Sequence, residues 1–144
     1  MAGTITTFIG LQYPLAKTSR GLMAQKKGVD IIKSDLLQLI LTNPGERVML
    51  PQFGTPLREL LFEPNDESLA VDAEIMIAQA IDTWEPRIQI KDIHVTPNID
   101  PNQLHPDDPQ YDREHILSIQ IDFYDPENIT VIQELVLELP LAGS

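Results

Sequence analysis

The chain has 144 residues, 42% of them hydrophobic, which reads as a single folded domain over 1–144. It holds no cysteine, which excludes a disulfide framework, thiolate metal sites and cysteine catalysis. Its net charge of −12 is unevenly spread: residues 1–58 carry seven basic and three acidic residues, and residues 59–144 carry three basic and 19 acidic, so phosphate repulsion argues against general nucleic-acid binding.

Residues 1–27 have weak periodicity, and an N-terminal arm or small hairpin is expected there. Met1–Ala2–Gly3–Thr4 has neither the basic start nor the apolar core of a signal peptide. No apolar run in the chain approaches the roughly 18 residues of a membrane helix, so no membrane partner is expected. The basic residues Lys17, Arg20, Lys26, Lys27 and Lys33 form a cluster in the sequence. They either meet an acidic partner or neutralise the acidic half of their own fold.

Residues 30–41 read as a helix, because Ile32, Leu36, Leu39 and Ile40 recur at i, i+4, i+7 and i+8. Asp30 suits the positive end of its dipole, and Asn43–Pro44–Gly45 stops it. Residues 46–63 mix Pro51 and Pro56 with Phe53, Leu60, Leu61 and Phe62, which predicts a wrapped loop with one helical turn at Leu57–Leu61. Residues 66–84 form the clearest helix. Asn65 is the expected N-cap, and Asp66 and Glu67 place negative charge in the first turn. Leu69, Ala73, Met76, Ile77, Ala80, Ile81 and Trp84 mark its apolar face, Ser68, Asp72, Gln79 and Thr83 its polar one, and Glu85–Pro86 ends it.

Strands follow. Ile88 and Ile90 alternate, then Ile93 and Val95, with a slip of one position that predicts a β-bulge near Lys91–Asp92. Residues 96–114, rich in Pro and Asp, read as a long, acidic, mobile loop. Leu117, Ile119, Ile121 and Phe123 alternate with polar residues, Asp125–Pro126–Glu127–Asn128 is a turn, and Val131, Leu135, Leu137 and Leu139 make a last strand closed by Pro140. The fold class is therefore α+β: two helices packed on a small antiparallel sheet of about three strands, with the N-terminal arm or hairpin beside it.

Catalytic patterns are missing. There is no G-x-S-x-G, P-loop or G-x-G-x-x-G motif. His94, His105 and His115 have no helical i, i+3 or i, i+4 partner, and His105 with Asp107 and Asp108 reads as a solvated loop, so neither metal nor cofactor is expected. With 19 carboxylates in the second part, some pair at glycosidase spacing arises by abundance alone. Two features stand out as contact sites. Glu85–Pro86–Arg87 puts opposite charges around a rigid residue at a helix–strand junction, either as an ion pair that stops the helix or as a charged hook for a partner. The last strand has strong β-propensity and, in a three-stranded sheet, is either an ordinary strand or an open edge for another chain's strand; Glu134 and Glu138 look like protection against wrong pairing.

These pieces occur together in a known family. Leu41–Thr42–Asn43–Pro44–Gly45–Glu46–Arg47, then Pro51–Gln52–Phe53–Gly54, then Leu60–Leu61–Phe62–Glu63–Pro64, then Trp84–Glu85–Pro86–Arg87 resemble the small baseplate wedge, or sheath-initiator, family of contractile-tailed phages. That family extends to type VI secretion and contractile injection baseplates, and an older label calls it an acidic lysozyme. The resemblance runs over about residues 13–139. It implies a structural, non-enzymatic protein in six copies in a virion tail baseplate, assembled in the host cytoplasm. It implies that Glu85, Pro86 and Arg87 dock on the wedge core bundle. It implies that the sheet edge at Thr130, Ile132, Glu134, Val136 and Glu138 accepts strands of the sheath subunit, with tube or hub proteins nearby. Pro44, Gly45, Glu46, Arg47, Phe53 and Gly54 then read as a structural signature. The loop at 96–114 departs from compact members of the family. Against this stand two rivals, a peptidoglycan hydrolase and a stand-alone cytosolic adaptor of the same fold.

Overall fold

The computed structural model describes residues 9–62, 67–97 and 116–140. In chain order these form β1 (Ile9–Leu11), β2 (Gln25–Lys27), α1 (Val29–Leu41), a 3-10 helix (Leu57–Phe62), α2 (Glu67–Trp84), β3 (Gln89–Pro97), β4 (Ile116–Asp125) and β5 (Asn128–Pro140). The fold is mixed α+β, as expected. β1 and β2 pair antiparallel, so the described part of the N-terminal arm is a hairpin, with a further bridge between Lys17 and Met23. Strands β3, β4 and β5 form a second antiparallel sheet in that order.

The period-two pattern of β4 organises the core. Leu117, Ile119, Ile121 and Phe123 are fully buried. They face Pro97, Val95, Ile93 and Ile90 on β3, and Leu139, Leu137, Leu135 and Gln133 on β5. Both helices supply the opposing layer, through Ile32, Leu36, Leu39 and Ile40 of α1 and Leu69, Ala73, Ile77 and Ile81 of α2. The polar residues Ser68, Asp72, Gln79 and Thr83 are exposed, as the helical spacing requires. The predicted bulge is present as a register shift between Ile90 and Asp92, which lets Ile88 and Ile90 share an apolar side with Ile93 and Val95.

Some boundaries move. Thr96 and Pro97, expected in the loop, instead extend β3 by pairing with Ser118 and Leu117. The β4 ladder supplies partners for them, and pairing outweighs the loop signal of Pro97 at a strand end. The rest of the expected loop, with His105, Asp107, Asp108 and His115, lies outside the described residues, as do Asn65 and Asp66.

The segment after α1 is a braced loop. Thr42 ends the helix in extended backbone, its N–H and Oγ1 both donating to the Gln38 carbonyl at 3.1 and 2.6 Å. The Gly45 N–H donates across the loop neck to the Pro51 carbonyl at 2.6 Å. The buried Thr55 donates its N–H to the Thr42 carbonyl at 2.9 Å and its Oγ1 to the Leu39 carbonyl at 3.2 Å. Gly54 makes this closure possible. Its φ of +125° lies where side chains are strained, and a Cβ there would sit 2.2 Å from the Thr42 carbonyl oxygen. Gly54→Ala should therefore cost about 3 kcal/mol or more, read as a lowered denaturant midpoint with unchanged slope.

Candidate docking sites

The Glu-Pro-Arg junction folds back on the molecule. The Glu85 N–H continues the α2 ladder to the Ile81 carbonyl at 2.8 Å, and Pro86 then turns the chain toward β3. Arg87 points back toward α1. Its Nη2 donates to Glu85 Oε2 at 2.5 Å and to Asp35 Oδ2 at 2.6 Å, while its Nε donates to Glu85 Oε1. Glu85 is only 6% exposed, whereas Asp35 and Arg87 are each about one-third open to solvent. The Glu85 hydrogen bond, assisted by Asp35 and opposed by burial, raises the Arg87 pKa further above its already high value. Arg87 is thus a clamp between the end of α2 and the middle of α1. Sequence reading named Glu85 and Arg87 but missed Asp35, which carries no local signal.

A cleft of about 270 Å³ opens at this clamp, lined by Asp35, Gln38, Leu39, Arg47, Phe53, Trp84, Glu85 and Arg87. Phe53 meets Trp84 edge to face at 5.4 Å between centroids, and the Arg47 guanidinium lies 4.1 Å above the Phe53 ring. Arg47 and Phe53 of the signature are therefore neighbours of the junction. Glu46 accepts from the Asn43 N–H at 3.0 Å and pairs with Arg58 at 3.3 Å. Beside Arg47 the loop tip carries Val48 and Met49, 93% and 92% exposed. That apolar pair is visible in sequence, but its projection depends on the closed neck.

The second site is an edge of the sheet. β3 and β5 are both outer strands, yet they differ. On β3 the Val95 N–H donates to Glu74 Oε1 of α2 at 3.0 Å, and the Ile93 N–H donates to Asp92 Oδ1 at 2.9 Å. Those amides point away from β4. In an antiparallel ladder, facing residues alternate between bonding each other and turning outward. Ile119 and Ile121, opposite Val95 and Ile93, therefore bond β5 at Leu137 and Leu135. Glu134, Val136 and Glu138 therefore turn their backbone groups away from β4, and all three residues are exposed, like Thr130 and Ile132. Among the described residues, Thr130 is the β5 position whose N–H a side chain caps, that of Asn128 at 3.2 Å.

A family model for the baseplate wedge protein gp25 matches residues 26–124. The chain belongs to this family. The baseplate wedge protein gp25 of Enterobacteria phage T4 is 29% identical over 117 residues, covering 81% of this chain and 79% of that protein. Two solved structures share the fold. A protein described as a putative tail lysozyme of Geobacter sulfurreducens has a TM-score of 0.65 at 23% identity, over 81% of this chain and 93% of its own. A chain of the anti-feeding prophage baseplate has a TM-score of 0.60 at 19% identity, over 95% and 88%. This gp25-family chain is thus a structural component of the baseplate wedge of a contractile tail system, a setting in which it assembles with other baseplate proteins. The lysozyme description belongs to the Geobacter protein.

The clamp makes an asymmetric prediction. Arg87→Met strands a buried Glu85 carboxylate and should cost about 3 kcal/mol. Asp35→Asn removes a partner that water can replace and should cost about 1 kcal/mol or less. Urea unfolding of both variants measures the difference, and Glu85→Leu combined with Arg87→Met should recover much of the larger loss.

Proposed function

We propose that the chain docks on the wedge core bundle through the surface around Glu85, Pro86 and Arg87, and that β5 then accepts a strand from the first sheath ring. The observation that carries this reading is the difference between the two sheet edges. α2 covers β3 through Glu74, and β5 keeps outward amides and carbonyls at Glu134, Val136 and Glu138. An incoming strand satisfies these groups, each hydrogen bond adding about 0.5–1.5 kcal/mol net. Six copies around the baseplate, with tube or hub proteins on the inner side, turn weak single contacts into a stable ring.

At the other site the clamp holds its charges internally, so docking draws on the surfaces it positions. Pro86 is exposed, the cleft beside Trp84 and Phe53 is open, and the Val48–Met49 tip stands in solvent. Burying each of these two side chains in a socket of the core bundle is worth about 1.5–3 kcal/mol. The closed loop neck lowers the entropy lost on binding. On this reading 1–144 acts as one domain, with a core-bundle surface at the helix–loop junction and a sheath surface at β5.

Two measurements follow. Wedge complex carrying Val136→Pro, which removes an outward N–H and spares the β4 ladder, should fail to seed growth of the cognate sheath subunit in electron micrographs while its circular dichroism stays native. Equal seeding would remove β5 as the template. Val48→Ser with Met49→Ser should weaken capture of the purified core bundle about tenfold or more without lowering the melting temperature, because both side chains are already solvated.

A further inference from the structure

The open edge of β5 carries a charge pattern as well as free backbone. Glu134 stands directly opposite Asp122 on β4, and Asp122 stands opposite Asp92 on β3, so three carboxylates line up across the outer face of the sheet. Like charges at directly opposed positions destabilise a sheet. The row is relieved at its far end and centre. His94 Nε2 lies 3.1 Å from Asp92 Oδ2, and Gln120 Nε2 donates to Asp122 Oδ1 at 3.2 Å. Glu134 and Glu138 have no hydrogen bond or ion pair among the described residues. Between them Val136 is 55% exposed. A local conflict kept at an open edge marks a surface completed by something else, since sequences violate their own folding rules chiefly where function requires it.

A second copy of this chain is a poor occupant. Antiparallel pairing of two β5 strands about Val136 sets Glu134 against Glu138, and parallel in-register pairing sets each glutamate against itself. Resting on the strand-addition reading, we propose that the segment added to β5 is an extended basic–apolar–basic stretch of the sheath subunit. A Lys or Arg faces Glu134, an apolar residue faces Val136, and a second Lys or Arg faces Glu138. Alternate residues of a strand share one face, so this pattern is read at every second position. The outward backbone groups belong to these same three residues, so one strand answers both the hydrogen bonds and the charges. The glutamates then serve two ends: they discourage self-pairing before assembly and select a basic strand during it.

The test uses full-length protein in its wedge complex, with the purified cognate sheath subunit as the probe and seeded growth counted by electron microscopy. E134K with E138K should lower seeding about tenfold at low salt. The melting temperature of the isolated variant should hold or rise, because a lysine opposite Asp122 replaces a repulsion with an attraction. A sheath subunit whose facing basic residues are changed to Glu should restore seeding by this variant. Should the lysine variant fail to fold, E134Q with E138Q decides, with a smaller loss expected at an unchanged melting temperature. Wild-type seeding by the charge-altered variants, with Val136→Pro inactive, would overturn the charge pattern and leave strand addition standing. Wild-type seeding by Val136→Pro would overturn strand addition and this proposal with it.

Discussion

Burial of one side of β4 constrains the whole molecule. Leu117, Ile119, Ile121 and Phe123 lose all contact with water, and they do so only if strands pair on both flanks and helices cover the face. Each such side chain is worth about 1.5–3 kcal/mol when buried, so a one-residue slip of β4 would forfeit the set. The bulge at Lys91 follows from this. Without it, the apolar residues on the two sides of Lys91 would face opposite ways. With β4 central, β3 and β5 become the edges, and the molecule has to manage both.

The edges differ among the described residues, because α2 lies against β3 and supplies an acceptor to its outer side. α2 runs directly into β3 through a tight turn at Glu85–Pro86–Arg87, which keeps the helix against that strand. Glu74 can then reach the Val95 amide. β5 emerges from a hairpin on the far side and has no such cover among the described residues. Exposed Glu134 and Glu138 stand there instead, and charged residues are a common means by which natural edge strands resist wrong pairing.

The clamp at Arg87 couples this sheet to the other surface. It joins α1 and the end of α2, and its aromatic neighbours Trp84 and Phe53 tie in the loop that follows α1. The loop therefore presents Val48 and Met49 from a fixed base. The family places this subunit among the structural components of a baseplate wedge. Among the described residues the most buried carboxylate, Glu85, is engaged by Arg87, whose pKa it raises.

The amino-acid sequence alone determined the elements. The 3.6-residue period located both helices to within a residue or two, the period of two located the three strands of the second sheet though not their ends, and the phase slip located the bulge. Those signals are local, since apolar spacing selects a conformation over a few turns. The family motifs were legible for the same reason, as short runs around Pro44–Arg47, Phe53–Gly54 and Glu85–Arg87. Tertiary structure decided what those residues do. Arg87 meets Asp35 from 52 positions away, which turns the Glu-Pro-Arg tripeptide into a clamp between helices. Glu74 meets Val95 from 21 positions away, which satisfies an outward amide on one edge of the sheet. Neither meeting leaves a trace in spacing, because each depends on how α2 lies against its neighbours. Which residues of β5 turn their backbone groups away from β4 came from the ladder register, a property of three strands together and of none alone.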